Sequence, residues 1–101
     1  MNPILQDRAD GLREALRLHE EVADLCEERC KEIDEETLIL CGGWSMSKED
    51  ETLTPEDQDK ILKCIHQQQL EYRTQRWLQA ETRKTIDQIK ATLRGIGARV
   101  S

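Results

Sequence analysis

A seven-residue apolar repeat runs through the first forty positions of this chain. Leu5, Leu12, His19, Cys26, Ile33 and Leu40 recur every seven residues, and Ala9, Leu16, Ala23, Cys30 and Thr37 recur every seven between them. Such a repeat keeps one stripe of a helix turned toward a neighbour along its whole length, so the segment is constrained to be a helix that lies against another helix. A second seam follows at Ile61, Ile65, Gln68, Tyr72, Gln75, Gln79, Thr82, Ile86, Ile89, Leu93 and Ile96, apolar at both ends and polar in the middle. Two long helices of similar length joined by a short connection predict an all-α fold, an antiparallel two-helix hairpin of coiled-coil type.

Local signals set the expected boundaries. Asn2 followed by Pro3 reads as an N-cap with proline in the first turn, and Thr54-Pro55-Glu56-Asp57 reads as a capping segment with two carboxylates at the positive end of the helix dipole. Gly42 and Gly43 are expected to stop the first helix and Gly95 to cap the second. The resulting reading is a single domain over 1–101, with a helix at 3–41, a loop at 42–54, a helix at 55–94 and a fraying tail at 95–101. Trp44 and Met46, at the start of the loop, are expected to fold back over the end of the helix pair.

At 101 residues with 36% charged and 3% aromatic residues and no Phe, the interior must be built from Leu, Ile, Val, Ala and Cys. A pair of helices with so thin a core buries less than the roughly two-thirds of surface usual for this size. The chain is therefore expected to find further burial in a partner, and dimerisation into a four-helix bundle is the expected form. A net charge of −6 argues against nucleic acid, whose binding needs a basic stripe to displace counterions. No apolar run reaches the roughly 18 residues of a membrane span, and the N-terminus has no signal-peptide core, so a cytoplasmic protein with no membrane span is expected.

Four cysteines are the main place where chemistry could sit. Cys26 and Cys30 are four apart on one helix face, and folding about a loop centre near residue 48 would put Cys30 across from Cys64 or Ile65. Reduced, buried thiols acting as small hydrophobes are the leading reading; a Cys30–Cys64 disulfide and a zinc site on Cys26, Cys30 and Cys64 are the others. The Cys26-x3-Cys30 spacing resembles that of the small mitochondrial intermembrane-space chaperones, which carry it twice. Here Cys41 and Cys64 stand 23 residues apart, so the second copy is missing and nothing further is carried over. His19, in a seam layer between Leu12 and Cys26, reads as a packing or register residue. Neighbouring acids such as Glu20 and Glu21 point about 100° apart and read as a solvated face, not as an acid–base pair. No nucleophile triad, phosphate-binding glycine loop or metal motif is present, and no cofactor or catalysis is expected.

The function expected is therefore non-catalytic: a small helical adaptor, scaffold or chaperone that binds another protein's helix, or a second copy of itself, through apolar positions left outside the seam. These are Leu18, Val22 and Leu25 on the first helix and Leu70, Trp77 and Leu78 on the second, with Trp77 the strongest anchor. Small size, acidity and helicity also match export chaperones of the secretion or flagellar kind, by analogy of architecture alone. A thiol- or zinc-dependent hairpin, and an acidic inhibitor of a nucleic-acid-binding protein, complete the alternatives.

Overall fold

The computed structural model describes residues 2–47 and 53–99. The described chain is all-helical, with two long helices: α1 (Pro3–Ser47) and α2 (Pro55–Gly95). Positions 48–52 of the expected loop and the last two residues of the expected tail lie outside the described residues.

Both N-termini form as their sequences dictate. Asn2 Oδ1 accepts hydrogen bonds from the amides of Ile4 at 2.8 Å and Leu5 at 3.1 Å, satisfying two of the donors a helix start leaves open. At α2 the capping is reciprocal. The Asp57 amide donates to Thr54 Oγ1 at 3.2 Å, while Asp57 Oδ2 accepts from the Thr54 amide at 3.4 Å and from its hydroxyl at 3.0 Å. This is a capping box with aspartate in the place usually held by glutamate or glutamine.

The C-terminal ends differ from expectation. Gly42 and Gly43 do not break α1, which runs on to Ser47. A glycine in a helix interior costs only about 1 kcal/mol relative to alanine. Continuing the helix places Trp44, which is half-buried, one turn beyond the half-buried Leu40, so the seam gains a layer; Met46 stays exposed. At the end of α2, Gly95 is still helical and the capping glycine is Gly97, at φ 78°. The Gly97 amide donates to the Arg94 carbonyl at 3.1 Å and the Ala98 amide to the Leu93 carbonyl at 2.9 Å, a Schellman closure. Ala98 is thereby buried against Leu93, and Arg13 Nε donates to the Arg99 carbonyl at 3.1 Å. Residues 96–99 are thus tied down where the sequence suggested a fraying tail.

The chain divides into two compact units. The first comprises Met1–Cys26 and Trp77–Ser101. Its core is Ala9, Leu16, Ala23, Ile86, Ile89, Leu93 and Ala98, with Leu12, Ala15 and Ile96 packed on it. Small alanines on α1 and branched side chains on α2 share this core, a complementarity of size that allows two helices to pack closely. The polar middle of the second seam is buried here: Gln79 is 3% exposed and its Nε2 donates to the Ala23 carbonyl at 3.4 Å, and Thr82 is buried beside it on the seam.

The second unit is Glu27–Arg76. Its buried apolar residues are Cys30, Ile33 and Ile65, fewer than in the first unit. Polar ties between the helices supplement them: Arg29 Nε to Glu71 Oε1 at 2.7 Å, Arg76 Nη1 to Glu27 Oε2 at 2.7 Å, and Gln68 Nε2 to Glu36 Oε2 at 2.7 Å. In each unit the two helices run antiparallel, as a helical hairpin requires. Cross-helix pairs in the second unit have residue numbers summing to between 100 and 104, as Arg29 with Glu71 and Glu36 with Gln68 show. Opposing positions therefore sum to about 102, not 95, because α1 is six residues longer than the glycine pair implied.

Candidate functional site

The longer α1 changes what the cysteines can do. With opposing positions summing to about 102, Cys64 faces the level of residue 38, eight residues from Cys30, or about 12 Å along the axis. Cys30 and Cys64 are thus not brought together, and a disulfide needs Cα atoms within about 7 Å. Cys26 and Cys30 are buried on α1, whereas Cys41 and Cys64 are exposed. Among the described residues no group of three His, Cys, Asp or Glu side chains is placed to hold a metal ion. His19 is half-buried on the seam of the first unit, where its Nδ1–H donates to the Ala15 carbonyl at 2.7 Å.

The second unit carries an open groove of about 350 Å³ lined by Ile33, Asp34, Thr37, Gln68, Gln69, Tyr72 and Arg73. Charge dominates its surroundings. Arg29 binds Glu71, Glu32 and Glu36, and these contacts, Glu71 first, hold the guanidinium even further above its ordinary value. The Glu71 carboxyl is in turn held below the ordinary carboxylate range by the Arg29 hydrogen bond. Arg76 stands 5.2 Å over the Tyr72 ring and donates to the Tyr72 hydroxyl at 3.1 Å and to Glu27.

The feature with the clearest chemical direction is a side face of the first unit. Leu18, Val22 and Leu25 each precede a seam residue by one position, namely His19, Ala23 and Cys26, and Leu78 likewise precedes Gln79. One residue is about 100° of helix rotation, and in an antiparallel pair equal rotations from the seam fall on the same side. These four side chains therefore share one flank. All four are exposed: Leu18 by 47%, Val22 by 39%, Leu25 by 62% and Leu78 by 39%. Trp77, 64% exposed, lies one further position around α2, beyond Leu78 toward its outer surface.

The two flanks of the first unit are unlike. On the Leu18 side the positions preceding seam residues are Ile4, Arg8, Gly11, Ala15, Leu18, Val22 and Leu25 on α1, and Leu78, Glu81, Thr85, Gln88 and Thr92 on α2. Only Arg8 and Glu81 are charged, and they cancel. On the other side, the positions following seam residues include Asp10, Arg13, Arg17, Glu20 and Asp24, then Arg83, Asp87, Lys90 and Arg94. Nearly every place there is charged, and Arg13 pairs with Asp10 at 3.2 Å while Arg17 reaches Glu21 at 2.6 Å. In the second unit the positions preceding seam residues hold Arg29, Glu32, Glu36 and Glu71, the ion-pair group described above. Leu70, exposed by 61%, belongs to that unit, so the structure does not place it with the other five candidates.

Reading the chain for apolar positions outside the seam finds Leu18, Val22, Leu25, Trp77 and Leu78 but not what surrounds them. The missed signal is the row one step before the seam, with Gly11, Ala15, Thr85 and Thr92 extending the uncharged surface. Charge divides along the same lines. Residues 1–26 and 77–101 contain eight acidic and eight basic side chains, whereas residues 27–76 contain thirteen acidic and seven basic, so the whole net charge of −6 belongs to the second unit.

Compared with protein-family models, curated proteins and solved structures, the chain matches none. Among the described residues no helix is long and apolar enough to cross a membrane.

Proposed function

We propose that this chain is a non-catalytic helical interaction protein, an adaptor, scaffold or small chaperone, that takes a helix of another molecule onto the Leu18–Val22–Leu25–Leu78 flank of its first unit. The observation that carries the reading is the contrast between flanks: four exposed aliphatic side chains in a charge-poor row on one side, and charged positions on the other. A helix laid across such a row buries its own apolar stripe at i, i+3, i+4 and i+7, the spacing that Leu18, Val22 and Leu25 themselves present. Trp77 at the edge supplies a large rigid surface of the kind that anchors interfaces. Where the occupant is the same flank of a second copy, the product is a four-helix bundle.

Paired glutamate substitutions test the reading. Val22→Glu with Leu78→Glu leaves the seam untouched, so helicity and thermal midpoint stay near wild type. Chemical cross-linking in native extract, followed by identification of the linked chains, should give partners with wild type that vanish with the double variant. Partners that persist in the variant at wild-type yield would place the interaction elsewhere and defeat the proposal.

A further inference from the structure

We infer that the occupant of this flank is a second copy of the chain, neutral unit against neutral unit, with the two acidic units outside the contact. The inference rests on the interaction reading above and narrows it to one partner and one mode. The exposed area of the chain calls for a partner. The chain exposes 7439 Å², whereas a folded monomer of this mass is expected to expose about 5900 Å². The excess of roughly 1500 Å² exceeds the approximately 800 Å² per partner that a standard interface buries.

Charge selects the surface. A symmetric dimer presents the same patch twice, so any net charge on the patch opposes itself. On the second unit that means −6 facing −6. On the first unit it means zero facing zero, and the flank's two charges, Arg8 and Glu81, have opposite sign. Of the surfaces described, the apolar flank of the first unit is the one that can meet its own copy without repulsion and with apolar burial. Its small positions, Gly11 and Ala15, let a facing helix come close; a Cβ built on Gly11 would meet nothing within 4 Å.

Sedimentation equilibrium of the full chain across salt concentration tests this directly. The expected result is a dimer whose dissociation constant changes less than about twofold between low and high salt, because neutral surfaces have little to screen. Val22→Glu with Leu78→Glu should weaken it by about a hundredfold or more, since four like charges would be buried unpaired across the two copies. Leu70→Glu, in the acidic unit, should leave it unchanged, and circular dichroism should show all variants fully helical. A dimer that tightens steeply with salt, or one that Leu70→Glu disrupts, would put the acidic units in the contact and overturn the inference. So would a wild-type chain that remains monomeric to about 1 mM, the threshold of weak association. In that last case, acrylamide quenching of Trp77 in a Trp44→Phe background separates the two readings. A monomer with Trp77 open to quencher refutes the second copy and leaves the interaction surface standing; a monomer with Trp77 shielded defeats both.

Discussion

Gln68 occupies a seam position of the second unit with its Nε2 bonded to Glu36 and its Oε1 buried with no hydrogen-bond partner. Flipping the amide does not relieve this, because the Glu36 carboxylate accepts and does not donate. A buried acceptor left unmade costs about 1–3 kcal/mol, whereas the bond to Glu36 returns less than the roughly 1.5–3 kcal/mol usual for a charged partner because that carboxylate is 44% exposed and screened by water. Gln68→Met, which keeps the length and removes the orphan, should therefore stabilise the protein by about 1 kcal/mol in urea titration; destabilisation would show that Oε1 is satisfied in solution. Glu71 gives a pH signature. Its folded pKa lies below the ordinary value of 4.5 because Arg29 donates to it, so its contribution is present above about pH 4.5 and is lost as pH falls through the lowered folded value. The pair is largely solvent-exposed, so the effect is small. Between pH 7 and pH 3 the thermal midpoint of Arg29→Leu should fall by less than that of wild type, and equal falls would remove Glu71 from the account.

At the scale of the elements, the helices were legible where local chemistry and packing agree. The heptad rows, the Asn2 cap and the Thr54–Asp57 box each point to the helix that forms, because a capping side chain acts within three residues and needs no tertiary information. The ends at Gly42 and Gly95 were not legible, because a glycine marks a stop only where nothing beyond it repays continuation. Leu40 and Trp44 carry the seam past Gly42 and Gly43, and the Leu93–Ala98 contact moves the cap from Gly95 to Gly97. Opposite substitution effects follow. A Cβ on Gly42 meets nothing within 4 Å and its backbone is helical, so Gly42→Ala should stabilise by about 1 kcal/mol. Gly97 holds a left-handed conformation, so Gly97→Ala should destabilise by about 1–2 kcal/mol. Chemical denaturation checks both, and a loss at Gly42 would mean that α1 stops where its glycines first suggested. The same extension by six residues removes the expected Cys30–Cys64 juxtaposition, because a change of length at one helix end shifts every cross-helix pairing.

Across the whole molecule, apolar burial and charge are unevenly shared. Residues 1–26 and 77–101 hold the Leu16–Ile86–Leu93 core and no net charge, while residues 27–76 hold, among the described residues, three buried apolar side chains and several exposed ion pairs, together with all of the net charge. Exposed ion pairs contribute about 0–1 kcal/mol each, less than buried aliphatic side chains, so helical amides of residues 27–47 and 59–76 should exchange hydrogen faster than those of 77–93. Uniform protection along both helices would contradict that division. The candidate surface was readable in part: exposure of single leucines follows from the seam, but the contrast between flanks emerges only once the antiparallel pairing decides which rows share a side. Methyl NMR with a soluble paramagnet reads that surface directly, residue by residue. Methyl signals of Leu18, Val22, Leu25 and Leu78 should be strongly relaxed in dilute protein and become protected together as concentration rises, while those of Leu70 stay relaxed. Methyls on the flank that are equally exposed at every concentration, or already shielded in the dilute monomer, would contradict the proposal.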